Sequence, residues 1–508
     1  MTGAQQPPYT AATTTLTADR CLNWIPERAG GSLIFRGRRG LGRDGTFSGG
    51  GRGRGLYAVA AGTDLYAVSG TKVFRATDNF AAALAITLSV STGHVQMADN
   101  GTHMFLAARS TSGGSKAVVF VPASATLIDV NTALGTAPGL PATLTTVRYL
   151  GGYLVALGTS NAGRFFYSAH VTDPTLSPVT AAAYTWPALN YANAQSCPDG
   201  AVGLEVLHNQ LYVLGTRTVE VWDVTGDATT PFAPVPGAPL TVGCLSPHAV
   251  TATTQAVYWL ATTAGGQPSI YRTVGYSAQR ISTPLIEQRM AGWGSITGAA
   301  LGAADVVVNV EDADGHVLVQ WAPQGSYGVG DDAAVCYDEG TGLWCERASL
   351  MNGRQNAAAW RCHAFYAGSH YWTGDDGTAA TNAVRFISSN TTYVDDSSIP
   401  ITRQRTWPET PPGFNRTRWN SLDALFSLGS VSSAAAVTTL AWTDDNGGSS
   451  KSMTTTGVGY SAVTSITMGR ASFQRLGMSR QRTFTLTYDD TSTATLLETT
   501  LTATPGTS

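Results

Sequence analysis

The feature that most constrains the fold is a repeated pattern of short apolar strands joined by tight turns. It is clearest in LEVLHNQLYVLGTRTVEVWDV, residues 204–224, where HNQ and then RT separate segments of alternating apolar residues. Alternation with a period of two indicates strands with one buried face, and Gly, Asn or Asp between two such strands indicates a hairpin turn. An antiparallel hairpin is therefore the predicted building unit of the chain.

The hairpin pattern recurs about seven times, at intervals of roughly 40 to 60 residues, which is typical of a propeller rather than a sandwich. The copies occupy residues 56–77, 95–121, 148–171, 204–224, 256–274, 305–322 and 362–388. One small sheet cannot bury both of its faces, whereas a closed ring of sheets can, and closure also limits exposed strand edges. We predict an all-β chain with a β-propeller of about six or seven blades over residues 55–400.

The sequence changes character after residue 400. Three prolines punctuate RQRTWPETPPGFNRTRW, residues 403–419, and mark a boundary. Later segments such as VTTLAWTDDNGGSSKSM have the composition of strands and predict a C-terminal β-sandwich-like domain over residues 401–508. Residues 1–54 are predicted to form an extended N-terminal arm and an Arg/Gly-rich lead-in to the propeller.

Composition excludes several classes of protein. Of the 508 residues, 43% are hydrophobic and only 13% are charged, which argues against disorder. The formal net charge of −3 does not indicate a nucleic-acid-binding protein as a whole. The N-terminal sequence lacks the pattern of a signal peptide, and no apolar run approaches the length of a membrane span. We therefore expect synthesis in a cytosol and no membrane insertion.

No catalytic, cofactor or metal site is predicted. The chain has neither a G-x-x-x-x-G-K-[ST] phosphate loop nor a G-x-S-x-G nucleophile elbow. The eight histidines are scattered, and no two of the six cysteines have C-x-x-C spacing. Cys336 and Cys345 are placed to meet across a hairpin, but reduced thiols are expected in a protein made in a cytosol.

The order of several motifs resembles a known family. AQSCPDGAVGLEVLHNQLYVLGTRTVEVWDVTG, residues 194–226, resembles the packaged-DNA stabilization proteins of short-tailed bacteriophages related to the Salmonella podophages, also called tail accessory or tail hub proteins. CLNWIPE, residues 21–27, resembles the entry motif of that family. The matching residues, which we expect to be structural, are Asn23, Trp24, Pro26, Glu27, Ser196, Pro198, Asp199, Gly200, Glu220 and Trp222.

The resemblance implies a structural protein of the virion tail and not an enzyme. It implies a hub that closes the channel of the portal and its adaptor after genome packaging and so retains the DNA. The implied partners are further copies of the chain in a homohexameric ring, the portal-adaptor protein, a tail needle or plug, and a tail fibre or tailspike. A host cell would be the place of synthesis, and no cofactor is implied.

An arginine-rich stretch leads into the first predicted blade. RGRRGLGRDGTFSGGGRGRGL, residues 36–56, contains the candidate contact residues Arg36, Arg38, Arg39, Arg43, Arg52 and Arg54. Arginine is common at protein interfaces, which makes an interface loop our first interpretation. Non-specific contact with the phosphates of packaged DNA and a plain solvated loop remain alternatives.

An alternative function is a tail-associated glycan-binding or polysaccharide-degrading β-propeller. A glycosidase needs two carboxylates at a set separation. Four acidic residues of the hairpins and the segments between them are available, although no spacing singles out a pair: Glu205, Glu220, Asp223 and Glu287. A depolymerase on a phage tail would usually also show the short repeat of a β-helix, which the sequence lacks.

Overall fold

The computed structural model describes residues 19–506 apart from a set of internal segments. These segments are 49–50, 60–63, 82, 85–87, 89–90, 92, 102, 109–115, 122–125, 130–140, 142–143, 159–162, 171–184, 195–198, 238, 263–265, 294–305, 324–332, 352–353, 375–382, 388–393, 396–398, 410–414, 429–436, 445–449, 457–458, 464–465 and 491–492. Two motif residues from the sequence, Ser196 and Pro198, lie outside the described residues.

Strands make up most of the described chain. The first part contains β1 Arg20–Leu22, β2 Trp24–Ala29, β3 Ser32–Gly37, β4 Gly42–Thr46, β5 Gly53–Ala58, β6 Leu65–Ser69, β7 Lys72–Arg75, β8 Val95–Asp99, β9 Met104–Ala108, β10 Lys116–Val121, β11 Thr126–Asp129, β12 Leu144–Leu150, β13 Tyr153–Gly158, β14 Arg164–Tyr167, β15 Tyr191–Asn193, β16 Ala201–Leu207, β17 Gln210–Gly215, β18 Val219–Val224 and β19 Phe232–Pro234.

The second part continues with β20 Val250–Ala252, β21 Val257–Thr262, β22 Pro268–Val274, β23 Ser277–Arg280, α1 Pro284–Ala291, β24 Val307–Ala313, β25 His316–Ala322, β26 Ala334–Asp338, β27 Trp344–Arg347, β28 Ser349–Met351, β29 Arg354–Asn356, β30 Cys362–Tyr366, β31 Ser369–Thr373, β32 Ala383–Ile387 and β33 Val394–Asp395. The last strands are β34 Ile399–Glu409, β35 Thr417–Ser427, β36 Val437–Asp444, β37 Lys451–Thr456, β38 Gly459–Val463, β39 Ile466–Ser479, β40 Arg482–Asp490 and β41 Thr495–Pro505.

Seven antiparallel sheets of the described residues are arranged as blades in a ring. They are blade one (β5–β7), blade two (β8–β11), blade three (β12–β15), blade four (β16–β19), blade five (β20–β23), blade six (β24–β27) and blade seven (β30–β32 with β4). The first strand of each blade contacts the first strand of the next, and β30 of blade seven contacts β5 of blade one. Each of the seven hairpins singled out in the sequence falls in a different blade, and the prediction of an all-β propeller is confirmed.

Ring closure uses a strand from far away in the sequence. The outer strand of blade seven is β4, which pairs antiparallel with β32. Because β4 precedes blade one in the chain, blade seven is completed by residues that come before all the other blades. Because β4 continues along the chain into blade one and is bound to blade seven by backbone hydrogen bonds, it joins the first and last blades.

The hairpin turns have the backbone conformation that their residues favour. In blade four, Leu207 pairs with Gln210, and the two turn residues have positive φ, 49° at His208 and 62° at Asn209. Two-residue hairpins with positive φ at both positions match the twist of the strands, and they favour Asn and Gly. The turn signal in HNQ therefore marks a true hairpin.

The blades bury both of their faces by packing against their neighbours. Phe105 of blade two belongs to the same apolar cluster as Leu154 and Phe166 of blade three. Phe165 of blade three meets Trp222 of blade four in an edge-to-face contact with 5.1 Å between ring centroids. A sheet with neighbours on both faces needs apolar side chains on both, and for this reason the second strands of the blades, such as β13 and β17, read as near-continuous apolar runs.

The C-terminal strands form two sheets that face each other. One contains β34, β40, β36 and β37, and the other contains β41, β35, β39 and β38. Trp419 of the second sheet contacts Phe484 of the first, with ring centroids 5.6 Å apart, and Phe426 contacts Tyr488 at 5.0 Å. Alternate residues of β34 and β35 are buried, as expected for strands with one face in a core.

Residues 20–46 differ from the extended arm that was predicted for residues 1–54. β1 pairs in parallel with β27 of blade six and antiparallel with β34, so that one continuous sheet runs from the propeller into the C-terminal domain. β2 and β3 form a hairpin that joins the other C-terminal sheet next to β41. The strands β27, β34 and β41, to which β1 and this hairpin are added, come hundreds of residues later, and a local reading of the sequence could not find these pairings.

Candidate functional site

Arg38 of the arginine-rich stretch is buried, with 2% of its surface exposed. Its guanidinium forms a two-point ion pair with Asp395, with Nη1–Oδ1 at 2.9 Å and Nη2–Oδ2 at 2.5 Å. It also donates from Nη2 to the carbonyl oxygen of Ala348 at 2.7 Å. Burial acts to raise the pKa of the Asp395 carboxyl, but Arg38 outweighs it, and the pKa lies below its usual value.

Asn23 fixes the same junction from the other side. Its backbone is left-handed, with φ at 57°, which Asn tolerates better than most residues. Its side-chain oxygen accepts bonds from Nε of Arg38 at 2.8 Å and from the backbone N–H of Ala348 at 3.0 Å, and its Nδ2 donates to the carbonyl of Thr402 at 2.8 Å. Asn23 of the entry motif thus ties blade six, the arginine stretch and β34 together.

The other five arginines are spread over different parts of the fold. Arg36 pairs with Glu27 at 2.9 Å, and Arg39 pairs with Asp314, all four side chains being partly exposed. Arg54, on the inner strand β5, is 4% exposed. It donates to the carbonyls of Gly70 and Gly93, both at 2.6 Å. Two arginines of the stretch have exposed side chains, Arg43 and Arg52.

The six arginines therefore do not form one contact surface. The structure gives Arg38 and Arg54 a different role from the predicted interface or channel contact, because their guanidinium groups are buried and bound within the chain. Arg43 and Arg52, with their exposed side chains, fit the predicted contact better. Local sequence could not separate the two groups, since the acidic partner of Arg38 is 357 positions away.

The motif of blade four is structural. The Asp199 carboxylate accepts from the backbone N–H groups of Arg217 at 2.7 Å and Thr218 at 3.0 Å, and so it holds the turn between β17 and β18. Glu220 and Trp222 are both buried on β18. Gly200 accepts a backbone bond at the same turn, from the N–H of Thr216. Trp24 of the entry motif is likewise buried, and Pro26 and Glu27 lie beside it in β2.

A polar cleft of about 420 Å³ lies where the arginine stretch meets blades six and seven. Arg36, Arg38 and Arg39 contribute to its wall. On the blade-six side, Nδ1 of His316 lies 2.8 Å from Oδ2 of Asp338, and both residues are buried. The hydrogen bond with Asp338 raises the pKa of His316 above its usual value, and the charge of Glu27 acts in the same direction.

The His316–Asp338 pair predicts a pH dependence of stability. Its contribution is fully present below the pKa of histidine in the unfolded chain, about 6.5, and is lost as the pH rises through the higher pKa of the folded state. Raising the pH from about 6 to about 8.5 should therefore lower the unfolding free energy by on the order of 1 kcal/mol through this pair. His316→Asn should remove that dependence in denaturant unfolding measured at both pH values.

The matched control for His316 is His208→Asn at an exposed hairpin turn, where the positive φ suits Asn. This variant should keep the pH dependence of the parent chain. If the unfolding free energy changed equally with pH in the parent chain and in His316→Asn, the pH dependence would not come from His316.

A second cavity, of about 430 Å³, lies on the axis of the ring and was not foreseen from the sequence. We call it the axial cavity. All seven inner strands contribute to its wall, and each supplies at least one polar side chain: Tyr57, Gln96, Arg148, Glu205, Thr251, Asn309 and His363. The signal in the sequence was that the first strand of each blade carries at least one polar residue beside its apolar residues.

An ion pair crosses two inner strands at this wall. Arg148 of β12 binds Glu205 of β16 through Nε–Oε1 at 3.1 Å and Nη2–Oε2 at 2.9 Å. Its Nη1 donates to the side-chain oxygen of Gln96 on β8 at 2.8 Å. One guanidinium thus links blades two, three and four, and the Glu205 carboxylate is held as the partner of a cation.

Two histidines and a thiol lie next to this ion pair. The rings of His94 and His248 are 4.7 Å apart, and Sγ of Cys362 is 3.7 Å from Nδ1 of His94. Burial lowers the pKa of His94 well below its usual value, and His248 and nearby arginines lower it further. In the part of the chain that the structure describes, no group of three or more His, Cys, Asp or Glu side chains is arranged to hold a metal ion.

Among the described residues, the cysteines of blade six and the helix α1 add no candidate site. Cys336 and Cys345 are cross-strand partners in blade six, and both are free thiols in the buried core. Among the described residues, α1 and the shorter helical turns include none with the length and apolar character needed to cross a membrane.

The ring of small antiparallel sheets with a polar axial cavity defines a β-propeller protein. A family model described as Bacteriophage P22 Gp10, beta-propeller, matches residues 22–386. The chain belongs to this family, and the resemblance to packaged-DNA stabilisation and tail accessory proteins of phages is confirmed. It is therefore a bacteriophage structural protein.

Other comparisons are distant. No match was found among curated proteins. Among solved structures, a chain of the mitotic checkpoint complex aligns with a TM-score of 0.37 and 11% identity over 70% of this chain and 95% of that one. A protein of Bacteroides fragilis described as a 6-phosphogluconolactonase aligns with a TM-score of 0.38 and 11% identity over 66% and 92%.

Proposed function

We propose that the chain is a phage tail hub, which closes the channel of the portal and its adaptor after packaging and retains the genome. The observation that carries the proposal is the family match across residues 22–386. The proposed partners are further copies of the chain in a homohexameric ring, the portal-adaptor protein, a needle or plug, and fibres or spikes. The proposed place is the virion tail, after synthesis in the host cytoplasm.

The architecture suits a part that must hold its shape under load. The sheet that continues from blade six through β1 into β34 connects the propeller to the C-terminal domain by backbone hydrogen bonds. A rigid connection lets different surfaces of one chain hold different partners at fixed positions. Repetition of a weak interface around a ring would add the strength of many contacts.

The exposed arginines Arg43 and Arg52 support a contact role for part of the lead-in. We assign them first to a protein interface, in which arginine is enriched. Non-specific contact with packaged DNA is the alternative, and it would weaken steeply with salt concentration.

The test of the hub is DNA retention in particles made without the protein. Particles from a nonsense-mutant infection should fill and then lose their DNA on gentle dilution, because the channel is left open. Purified full-length protein added back should restore stable retention, measured as nuclease-resistant DNA per particle. Native mass spectrometry with the adaptor should show a ring.

The rival function is a glycan-binding or polysaccharide-degrading propeller. Two of the carboxylates available for it are held by cations, Glu205 by Arg148 and Glu287 by Arg280. A glycosidase acid instead needs an environment that keeps it protonated. Particles that keep their DNA but fail to attach to cells, or hydrolysis of host polysaccharide by the purified chain, would favour the rival.

A further inference from the structure

Two exposed surfaces of the chain carry opposite charges together with large apolar side chains. The first lies where blades four and five meet, and we call it the acidic patch. It consists of Asp223 and Asp227 of blade four with Val274 and Tyr276 of blade five. Val274 is 52% exposed and Tyr276 is 49% exposed. Two large apolar side chains exposed side by side and rimmed by polar groups indicate a contact surface.

Hydrogen bonds join the acid and the aromatic ring of the acidic patch. Nε2 of Gln210 donates to Oδ1 of Asp223 at 2.8 Å and to the Tyr276 hydroxyl at 2.9 Å. Asp227 accepts from the backbone N–H of Thr229 at 2.7 Å. These donors are uncharged, and among the residues that the structure describes neither carboxylate has a cationic partner. Both negative charges are therefore available to a cation from another molecule.

The second surface is one end of the C-terminal domain, which we call the basic end. It consists of Arg416, Arg418, Arg475 and Met478. Arg418 of β35 and Met478 of β39 are cross-strand partners, and Met478 is 47% exposed. The side chains of all three arginines are exposed, and within the described part of the chain none of them forms an ion pair.

The basic end lies away from the propeller of its own chain. β34 passes the junction at Thr402, whose carbonyl binds Asn23, and ends at Glu409, seven residues further on. At the usual rise of about 3.3 Å per residue, this end of the domain is roughly 23 Å from the junction. On the facing sheet at the same end, Asp444 is bound by Arg482. The arginines of the basic end can therefore reach another molecule.

We propose that the basic end of one copy of the chain binds the acidic patch of the next copy. The charges of the two surfaces are complementary, and arginine, methionine and tyrosine are enriched in the buried centre of protein interfaces. Because the two surfaces differ, the contact is head-to-tail, and its repetition closes a ring when the rotation between copies allows. The inference rests on the ring of the proposed function and identifies the surfaces that form it.

Charge reversal tests this contact in the full-length chain, with self-association measured by sedimentation velocity at low ionic strength. Arg418→Glu and Asp223→Arg should each weaken self-association about tenfold or more, because each variant places like charges opposite each other. An equimolar mixture of the two variants should recover the association of the parent chain. In the mixture, the reversed basic end of one variant meets the reversed acidic patch of the other.

The matched control is Arg217→Glu, an exposed arginine in the turn between β17 and β18, at the opposite end of the blade-four strands from the acidic patch. This variant should associate like the parent chain. A monomeric parent chain, or unchanged association in both reversal variants, would overturn the proposal. So would an Arg418→Glu variant that loses affinity for a DNA duplex or for the adaptor while its self-association is unchanged. The tail-hub function is tested separately by DNA retention, and the two can fail independently.

Discussion

Replacing Arg38 with methionine should lower the unfolding free energy by about 3–5 kcal/mol, the usual effect of breaking a buried ion pair on one side. The substitution leaves the Asp395 carboxylate buried without the guanidinium that binds both of its oxygens. It also removes the donor to the Asn23 side chain and to the carbonyl of Ala348. Guanidinium unfolding followed by tryptophan fluorescence measures the loss.

The matched control for Arg38 is Arg39→Met in the next position. Arg39 and its partner Asp314 are each about a third exposed, and an exposed pair contributes less than about 1 kcal/mol. A double replacement, Arg38→Met with Asp395→Leu, should cost less than Arg38→Met alone, because no buried charge is then left without its partner. Equal destabilisation by Arg38→Met and Arg39→Met would show that the buried ion pair of Arg38 with Asp395 contributes no more to stability than an exposed pair.

Replacing Gly45 with alanine should open the join between blades one and seven and cost about 1–3 kcal/mol, as overpacking does in a close-packed core. A Cβ at Gly45 would lie 2.3 Å from the carbonyl oxygen of Asn79 and 3.1 Å from the Phe80 ring. The backbone of β4 would have to move away from blade one, and its pairing with Val384 of β32 would be strained. Hydrogen exchange of the β32 amides should rise, and proteolysis after Arg43 should become faster.

Gly340→Ala is the control for this substitution, because the nearest atom to its added Cβ is Oδ1 of Asp338 at 3.6 Å, an ordinary contact distance. This variant should keep the exchange rates of the parent chain. If Gly45→Ala changed exchange equally in all seven blades, the strand β4 would not be a local closure of the ring.

The propeller was predictable because its signal is local. Each hairpin has strands with apolar residues at short range and a turn whose residues favour positive φ, such as His208 and Asn209. Repetition of that unit then implied a ring. The family motifs agree with this reading, since Asp199 holds a turn and Trp222 fills the space between two blades.

The closing strand and the candidate sites depend on contacts that sequence spacing does not contain. GRDGT of β4 has no apolar side chain. It forms a strand because its backbone pairs with the edge strand β32 of blade seven. Arg38 and Arg39 are neighbours in the chain, yet one is buried and the other is partly exposed. The axial cavity arises only when seven strands from distant parts of the chain meet, so none of its residues was singled out for that role.

The placement of β1 to β4 also sets the order in which the chain can fold during synthesis. β4 can pair only after residues 383–387 have been synthesised. The pairing of β1 with β34 and that of β3 with β41 likewise require the later strand. At about 5–20 residues per second, a ribosome needs roughly 20–90 s to pass from the early strands β1 to β4 to the strand β41. During that time the β2–β3 hairpin lacks its neighbour β41, and a chain that stops short of β41 leaves the edge of β3 unpaired. A truncated chain therefore differs from a finished one at the β3 edge even when all seven blades are present.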